Sequence, residues 1–248
     1  MNYLTKYEPR TVDEFIWPSD KAKAAILDTL ATPGARFGKL HPHIFHGDYG
    51  GGKSTLLKWL PYWIDPNFQE LNSLSIVGDA RKNISETVRK IKRFTEFQAY
   101  GGGLKVLRID EADNLDDQIQ QGLKGQITKI ITLDLDVLIL IATNHIERLD
   151  GGIEDRCVTV DMTQRDPERY LPKMREILAA ENVDMMTDRA LLPYAEAAGT
   201  SIRRLYRMME ELVDAHRAQQ AQLGQQAPLP GTASGTGLTL LNQPATKQ

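Results

Sequence analysis

Eight consecutive residues, Gly47-Asp48-Tyr49-Gly50-Gly51-Gly52-Lys53-Ser54, carry the pattern G-x-x-x-x-G-K-[ST]. The pattern suits a phosphate chain. Glycines let the backbone approach an anion closely, and the loop turns its N–H groups inward at a helix N-terminus. Lys53 can reach the terminal phosphates and the Ser54 hydroxyl can ligate Mg²⁺. Thr55 continues into the helix that the cradle opens. A second candidate follows in Val106-Leu107-Arg108-Ile109-Asp110-Glu111-Ala112-Asp113, an apolar run ending in adjacent carboxylates. Asp110 there suits Mg²⁺, and Glu111 suits polarising a water for attack on phosphorus. Alone, such an acidic pair is usually a solvated turn; behind a phosphate loop it reads as a second nucleotide motif. Asn144 ends another apolar run, where an amide could orient the same water.

Two arginine positions bear on the same chemistry. Arg156, in Glu154-Asp155-Arg156-Cys157, has two readings at this point. It forms a local salt bridge with Glu154 or Asp155, or it projects into a neighbouring subunit's site to stabilise transition-state charge. Arg203 falls in the first turn of a helix, where the dipole disfavours a cation unless an anion is near. A γ-phosphate would supply that anion. Arg204 and Arg207 are expected to be solvated or paired with Glu210 and Glu211.

Elements must hold these groups together. Apolar runs at His43–His46, Leu74–Val77, Lys105–Ile109, Val137–Ala142 and Val158–Val160 predict strands. Their alternation with helical patterns argues for an α/β fold with a mainly parallel sheet flanked by helices. After Gln164 the pattern is helical. Asp166-Pro167 opens one helix, Thr187-Asp188 a second that Gly199 closes, and Thr200 or Ser201 a third running to about Gln222. The expected organisation is an α/β nucleotide-binding domain over 1–164, a small helical lid over 165–222, and a low-complexity tail over 223–248. The apolar cluster Leu238-Thr239-Leu240-Leu241 in the tail reads as a loose terminus or, less simply, a docking peptide.

Composition bounds the partners. The 248 residues are 41% hydrophobic and 25% charged, ordinary values for a soluble globular protein. A net charge of −3 gives no global pull toward nucleic acid or anionic lipid, so any such contact is a local patch. One patch exists. Six basic residues, Arg81, Lys82, Arg89, Lys90, Lys92 and Arg93, meet one acid, Glu86. Ile84, Val88 and Ile91 form an apolar stripe at helical spacing, leaving Lys82, Arg89 and Arg93 on another face. That concentration favours contacts with a DNA backbone over a merely solvated face. No apolar run is long enough to cross a bilayer, no signal-peptide pattern opens the chain, and no ligand spacing suggests zinc. A single cysteine, Cys157, fits a reducing compartment, so the cytoplasm of a bacterium or phage-infected cell is expected.

Together these motifs resemble the clamp-loader branch of the AAA+ ATPases, in particular replication factor C small subunits and phage clamp-loader subunits. The resemblance covers residues 3 to about 216. Lys6-Tyr7-Glu8-Pro9-Arg10-Thr11 is similar to the family's K-Y-R-P-x-T element, which implies that Tyr7 and Pro9 lie near an adenine. Gly78-Asp79-Ala80-Arg81 and Val88-Arg89-Lys90-Ile91-Lys92 resemble its DNA-facing stretch. Asp110-Glu111-Ala112-Asp113 matches the Walker B box, and Asn144 falls at sensor 1. Asp155-Arg156-Cys157 falls at the S-R-C box of the trans-acting arginine finger. Gly199-Thr200-Ser201-Ile202-Arg203-Arg204 resembles sensor 2. The implied substrate is ATP with Mg²⁺, and Arg156 moves toward the finger reading. The implied partners are primer–template or duplex DNA, further AAA+ subunits and a sliding clamp. Three departures stand out: Glu8 for arginine, Asp155 for serine, and Lys124 where the family has an arginine linking DNA binding to catalysis. The roughly thirty residues after the lid are too few for the family's collar domain. Assembly is therefore expected to rest on AAA+ interfaces. A DNA-bound ring or filament that recruits a transposase or helicase is the rival function, and an ATP-bound scaffold a third.

Overall fold

The computed structural model describes residues 2–30, 40–79, 83–163, 166–183 and 186–225. Arg81, Lys82 and the Leu238–Leu241 cluster lie outside them. Five strands form one sheet: β1 His43–His46, β2 Ser73–Val77, β3 Lys105–Asp110, β4 Val137–Thr143 and β5 Val158–Asp161. Their order is β2-β3-β4-β1-β5, with every neighbouring pair parallel. β4 is buried along its whole length, which explains its unbroken apolar run. Its side chains still alternate. Leu138, Leu140 and Ala142 pack with Phe45, Leu56 and Leu60 on one face. Ile139 and Ile141 pack with Ile44, Ile91, Ile119 and Leu123 on the other.

Helices α2 (Asp20–Leu30) and α3 (Lys53–Ile64) contribute to the first face. α3 continues through Pro61 to Ile64. α4 (Ile84–Glu96) and α5 (Asp117–Thr132) cover the second face. They approach closely at Gly122, where a Cβ would sit 3.1 Å from both Val88 methyls. The lid comprises α7 (Leu171–Ala180), α8 (Asp188–Ala198) and α9 (Ile202–Gln225), with a turn of 3-10 helix at Pro167–Tyr170 capped by Asp166. Ser201 provides the cap of α9, its hydroxyl accepting from the Arg204 amide. α9 runs three residues into the segment expected as tail, since its Gln- and Ala-rich end favours helix.

The N-terminal segment departs from the expected division at 164. A short helix, α1 (Tyr3–Lys6), precedes Tyr7, and Tyr3, Tyr7 and Ile16 belong to the lid core with Met174, Leu205 and Met209. Buried Glu181 ties the two together. It accepts from Lys6 Nζ at 2.5 Å, from the Tyr7 hydroxyl and from Arg217 Nη2 at 2.7 Å. Burial alone would push this carboxyl up; the bonds from Lys6, Tyr7 and Arg217 instead hold it down at about 2. A carboxylate depressed in the folded state adds stability above its unfolded pKa, lost as pH falls toward the folded one. Glu181→Gln should therefore cost about 2 kcal/mol at neutral pH, allowing for screening of Lys6 and Arg217 at the surface. The gap to the parent should close between about pH 4.5 and 2. Thermal unfolding against pH measures this; a gap constant down to pH 2 would remove Glu181 from that role.

Candidate nucleotide site

β1 delivers the chain into the glycine-rich loop, and Gly52, with φ 96°, caps the start of α3. Lys53, only 7% exposed, folds back so that Nζ donates to the carbonyls of Gly47 at 2.6 Å and Asp48 at 2.7 Å. Burial pushes the pKa of this ammonium down, opposed by the nearby carboxylates of Asp110, Asp48 and Asp113. Lys53 makes no ion pair among the described residues. A buried cation held only by carbonyls, beside the first amides of a helix, fits an anionic phosphate chain. Ser54 is exposed to the same space.

The carboxylates come from the C-terminal end of β3. Asp110 Oδ1 accepts from the Glu111 amide at 2.9 Å. Glu111 itself is left-handed, φ 51° and ψ 45°, an uncommon conformation for a residue with a side chain. Its exposed carboxylate receives a long bond from Asn114 Nδ2, at 3.5 Å. Gly78 makes this turn feasible. Its amide donates to the Asp110 carbonyl, and a Cβ there would lie 1.9 Å from the Glu111 carbonyl oxygen. Asp113, which sequence reasoning gave no separate role, fixes the neighbouring strand end. Its Oδ1 accepts from Thr143 Oγ1 at 2.9 Å and from the Asn144 amide at 3.1 Å.

The lid closes the other side. The Ile202 amide donates to the Gly50 carbonyl at 3.0 Å, and Thr200 Oγ1 donates to Asp48 Oδ2 at 3.0 Å. Gly50, with φ 80°, tolerates this docking because a Cβ would sit 2.4 Å from Ser201 Oγ. These links join the phosphate loop directly to the helix that carries Arg203. Arg203 is exposed and makes no ion pair among the described residues. Arg204 and Arg207 are also exposed, and Arg204 donates to the Ala197 carbonyl rather than pairing with Glu210 or Glu211.

A cavity of about 420 Å³ joins these groups. Tyr49, Gly50, Gly51, Gly52, Lys53, Ser54 and Thr55 line one wall. Asp110, Glu111, Thr143 and Asn144 line another, with Arg203 and Ile202 opposite. Gly47 and Asp48 stand behind the loop, supplying the carbonyls that hold Lys53. Pro9 also lines the cavity, with Leu4, Thr5 and Glu8. Tyr7 does not: its ring packs in the lid core and its hydroxyl is taken by Glu181, which corrects the expectation of a base contact from this side chain.

Arg156 stands apart from the cavity of its own chain. It follows the short helix α6 (Gly151–Glu154), its side chain is exposed, and the salt bridge to Glu154 or Asp155 is not formed. Instead Nε donates to Thr128 Oγ1 at 3.0 Å and Nη1 to the Gly152 carbonyl at 2.6 Å. α5 organises this loop from one face. Gln120 bonds the Arg148 carbonyl and the Asp150 amide, and Lys124 pairs with Asp150 at 2.7 Å. Gln120, Lys124 and Thr128 recur every four residues, a signal readable in the sequence once the partner loop is known. On the opposite side α5 holds α4, where Thr95 Oγ1 donates to Gln126 at 2.8 Å and Lys129 pairs with Glu96. Arg89, Lys90, Lys92 and Arg93 are all exposed on α4, though Lys90 is spent on Glu86 at 2.7 Å. Among the described residues no cluster of His, Cys, Asp and Glu is arranged to hold a metal by itself.

Residues 43–164 match the family described as "ATPase family associated with various cellular activities". The chain is 23% identical over 198 residues to replication factor C small subunit 1 of Pyrobaculum arsenaticum, covering 79% of this chain and 57% of that protein. It is 28% identical over 214 residues to the replication factor C large subunit of Methanospirillum hungatei, covering 84% and 41%. It thus spans about half the length of these relatives. Among solved structures it resembles the Thermotoga maritima RuvB Holliday junction branch migration motor, with TM-score 0.67, 18% identity and coverage of 86% and 67%. Domain III of the Thermotoga maritima replication initiation protein DnaA matches with TM-score 0.58 and 19% identity, covering 85% and 90%. The phosphate loop, the β3 carboxylates and the parallel sheet that joins them all lie within residues 43–164, the segment that matches this ATPase family.

Proposed function

We propose that this chain is an ATP-hydrolysing, DNA-associated subunit of an AAA+ assembly, with a clamp-loader-like role in DNA replication. The observation that carries the reading is the single cavity shared by Lys53, Glu111, Asn144 and Arg203. In it Gly47–Thr55 bind the phosphates, with Lys53 on the terminal ones. Glu111 takes the proton of the attacking water, Asn144 orients that water, and Arg203 answers charge on the γ-phosphate from the lid. Ser54 and Asp110 would hold Mg²⁺, which neutralises phosphate charge when bound. Arg156 acts on the site of a neighbouring subunit. The proposed units are an α/β domain over 1–164, a lid from 165 to the end of α9 at Gln225 and a tail beyond it, with the N-terminal arm riding on the lid. No helix among the described residues is long and apolar enough to cross a membrane.

DNA is proposed to run along α4. Arg89, Lys92 and Arg93 are exposed there and not committed to ion pairs among the described residues. Arg81 and Lys82 extend the same patch in sequence. The relatives named as replication factor C support a sliding clamp as the protein partner. The test is ATP turnover with and without primer–template DNA across a salt series. Arg89→Glu with Lys92→Glu should abolish most of the DNA stimulation and reduce the log–log salt slope by about two. Unchanged stimulation would make α4 an ordinary solvated face. Particle mass with a non-hydrolysable ATP analogue completes the test. A closed assembly of a few subunits supports the clamp-loader role, whereas open-ended growth along duplex DNA would replace it with a filament that recruits another effector.

A further inference from the structure

The cavity extends past the phosphate loop to a charged pair for which phosphate binding has no use. Lys58 lies four residues, just over one turn, beyond Ser54 on α3, about 6 Å further along the helix. Its Nζ meets both carboxylate oxygens of Glu8, at 2.9 and 2.7 Å. Glu8 is 25% exposed, and both residues line the cavity. A nucleotide whose phosphates sit at the first amides of α3 would extend its nucleoside along the same cavity, which this pair lines. A carboxylate has about four lone-pair positions, and Lys58 occupies one on each oxygen. The remaining ones are left for a donor in the cavity that Glu8 lines. Lys58 also fixes the carboxylate and offsets its charge against nearby phosphate.

We infer that Glu8 is a specificity-determining residue that accepts a hydrogen bond from a donor on the nucleoside, either the 6-amino group of adenine or a ribose hydroxyl. The inference rests on the ATP-site reading above. A carboxylate offers acceptors only, so it favours an exocyclic amine and disfavours the carbonyl that guanine or hypoxanthine carries in its place. A site built to bond a donor rejects an analogue that lacks it. Glu8 is also where the N-terminal element departs from its family pattern, so the pattern does not supply this role. The competing explanation is mechanical: the pair merely tethers the lid-borne arm to α3. A tether would act on every nucleotide alike.

Titration calorimetry on the full chain separates the two. The probes are adenylyl imidodiphosphate and its inosine, 2′-deoxy and 3′-deoxy counterparts, with Mg²⁺. Glu8→Ala should raise the Kd of the adenosine probe about tenfold, a loss typical of a bond to a charged group. The isosteric Glu8→Gln, still an acceptor, should keep most of the affinity. For one counterpart the parent and Glu8→Ala should bind alike: inosine if the donor is the amine, a deoxy probe if it is a hydroxyl. An equal loss on all four probes, or none on any, overturns the inference while leaving the ATP site intact. A parent chain that binds none of them overturns the ATP-site reading as well.

Discussion

Glu111→Gln should lower ATP turnover by about a hundred- to ten-thousandfold while leaving ATP affinity within about twofold, the range a positioned general base supplies. The substitution is a clean probe because glutamine keeps the shape of the side chain and can still receive the Asn114 amide. It also leaves the left-handed turn unchanged, since that turn is set by Gly78, the Asp110 carboxylate and the Glu111 backbone. What it removes is the capacity to take a proton. The phosphate loop, lid docking at Gly50 and the Lys53 ammonium are untouched, so binding persists. Lys53→Ala is the contrasting control. Removing the buried cation should weaken ATP binding itself, because Lys58, the other ammonium lining the cavity, is already paired with Glu8. Phosphate release and equilibrium binding, measured on the same preparations, check both. Full turnover by Glu111→Gln would assign the water to another group, and Asp110 would be the next to replace.

The parts of this fold visible in advance are those encoded by local pattern. All five strands were marked by apolar runs, because a parallel sheet covered on both faces needs them. Glu111, Asn144 and Arg203 could be placed at strand ends or a helix start, whereas Arg156 falls in the loop between α6 and β5. The polar ends were harder: β3, β4 and β5 each run one residue further, to Asp110, Thr143 and Asp161, where a polar side chain hides the continuation. Long-range partners were not legible. Tyr7 and Glu181 are 174 residues apart, and nothing in either neighbourhood announces that they meet. Asp113 reads as a third carboxylate in an acidic turn, and only the pairing of β3 with β4 turns it into the acceptor that seats Asn144. Periodicity tells which face is buried, not which distant residue fills it. The resemblance that placed Tyr7 near a base matched its position in the motif, but the direction of a side chain depends on the lid packed against it.

The position of Arg156 yields the sharpest expectation about assembly. Its guanidinium is held at the surface by Thr128 and the Gly152 carbonyl, outside the cavity of its own chain. If it completes a neighbour's site, Arg156→Ala should lower turnover by about a thousandfold or more, as loss of an arginine finger does, with ATP binding kept. Loss alone would not reveal where the arginine acts, but mixing would. Arg156→Ala subunits retain Glu111, and Glu111→Gln subunits retain Arg156. In a head-to-tail assembly each interface joins two different surfaces, so a site is repaired when an Arg156→Ala subunit receives its arginine from a Glu111→Gln neighbour. Random one-to-one mixing repairs about a quarter of the sites. Two nearly inactive preparations should then regain about a quarter of the parent's activity once subunits exchange. An arginine acting within its own chain gives no such recovery, since neither variant contains both groups. Recovery that appears only above the assembly concentration would tie the arginine to the subunit interface; a mixture that stays inactive after verified exchange would return Arg156 to a structural role in its own loop.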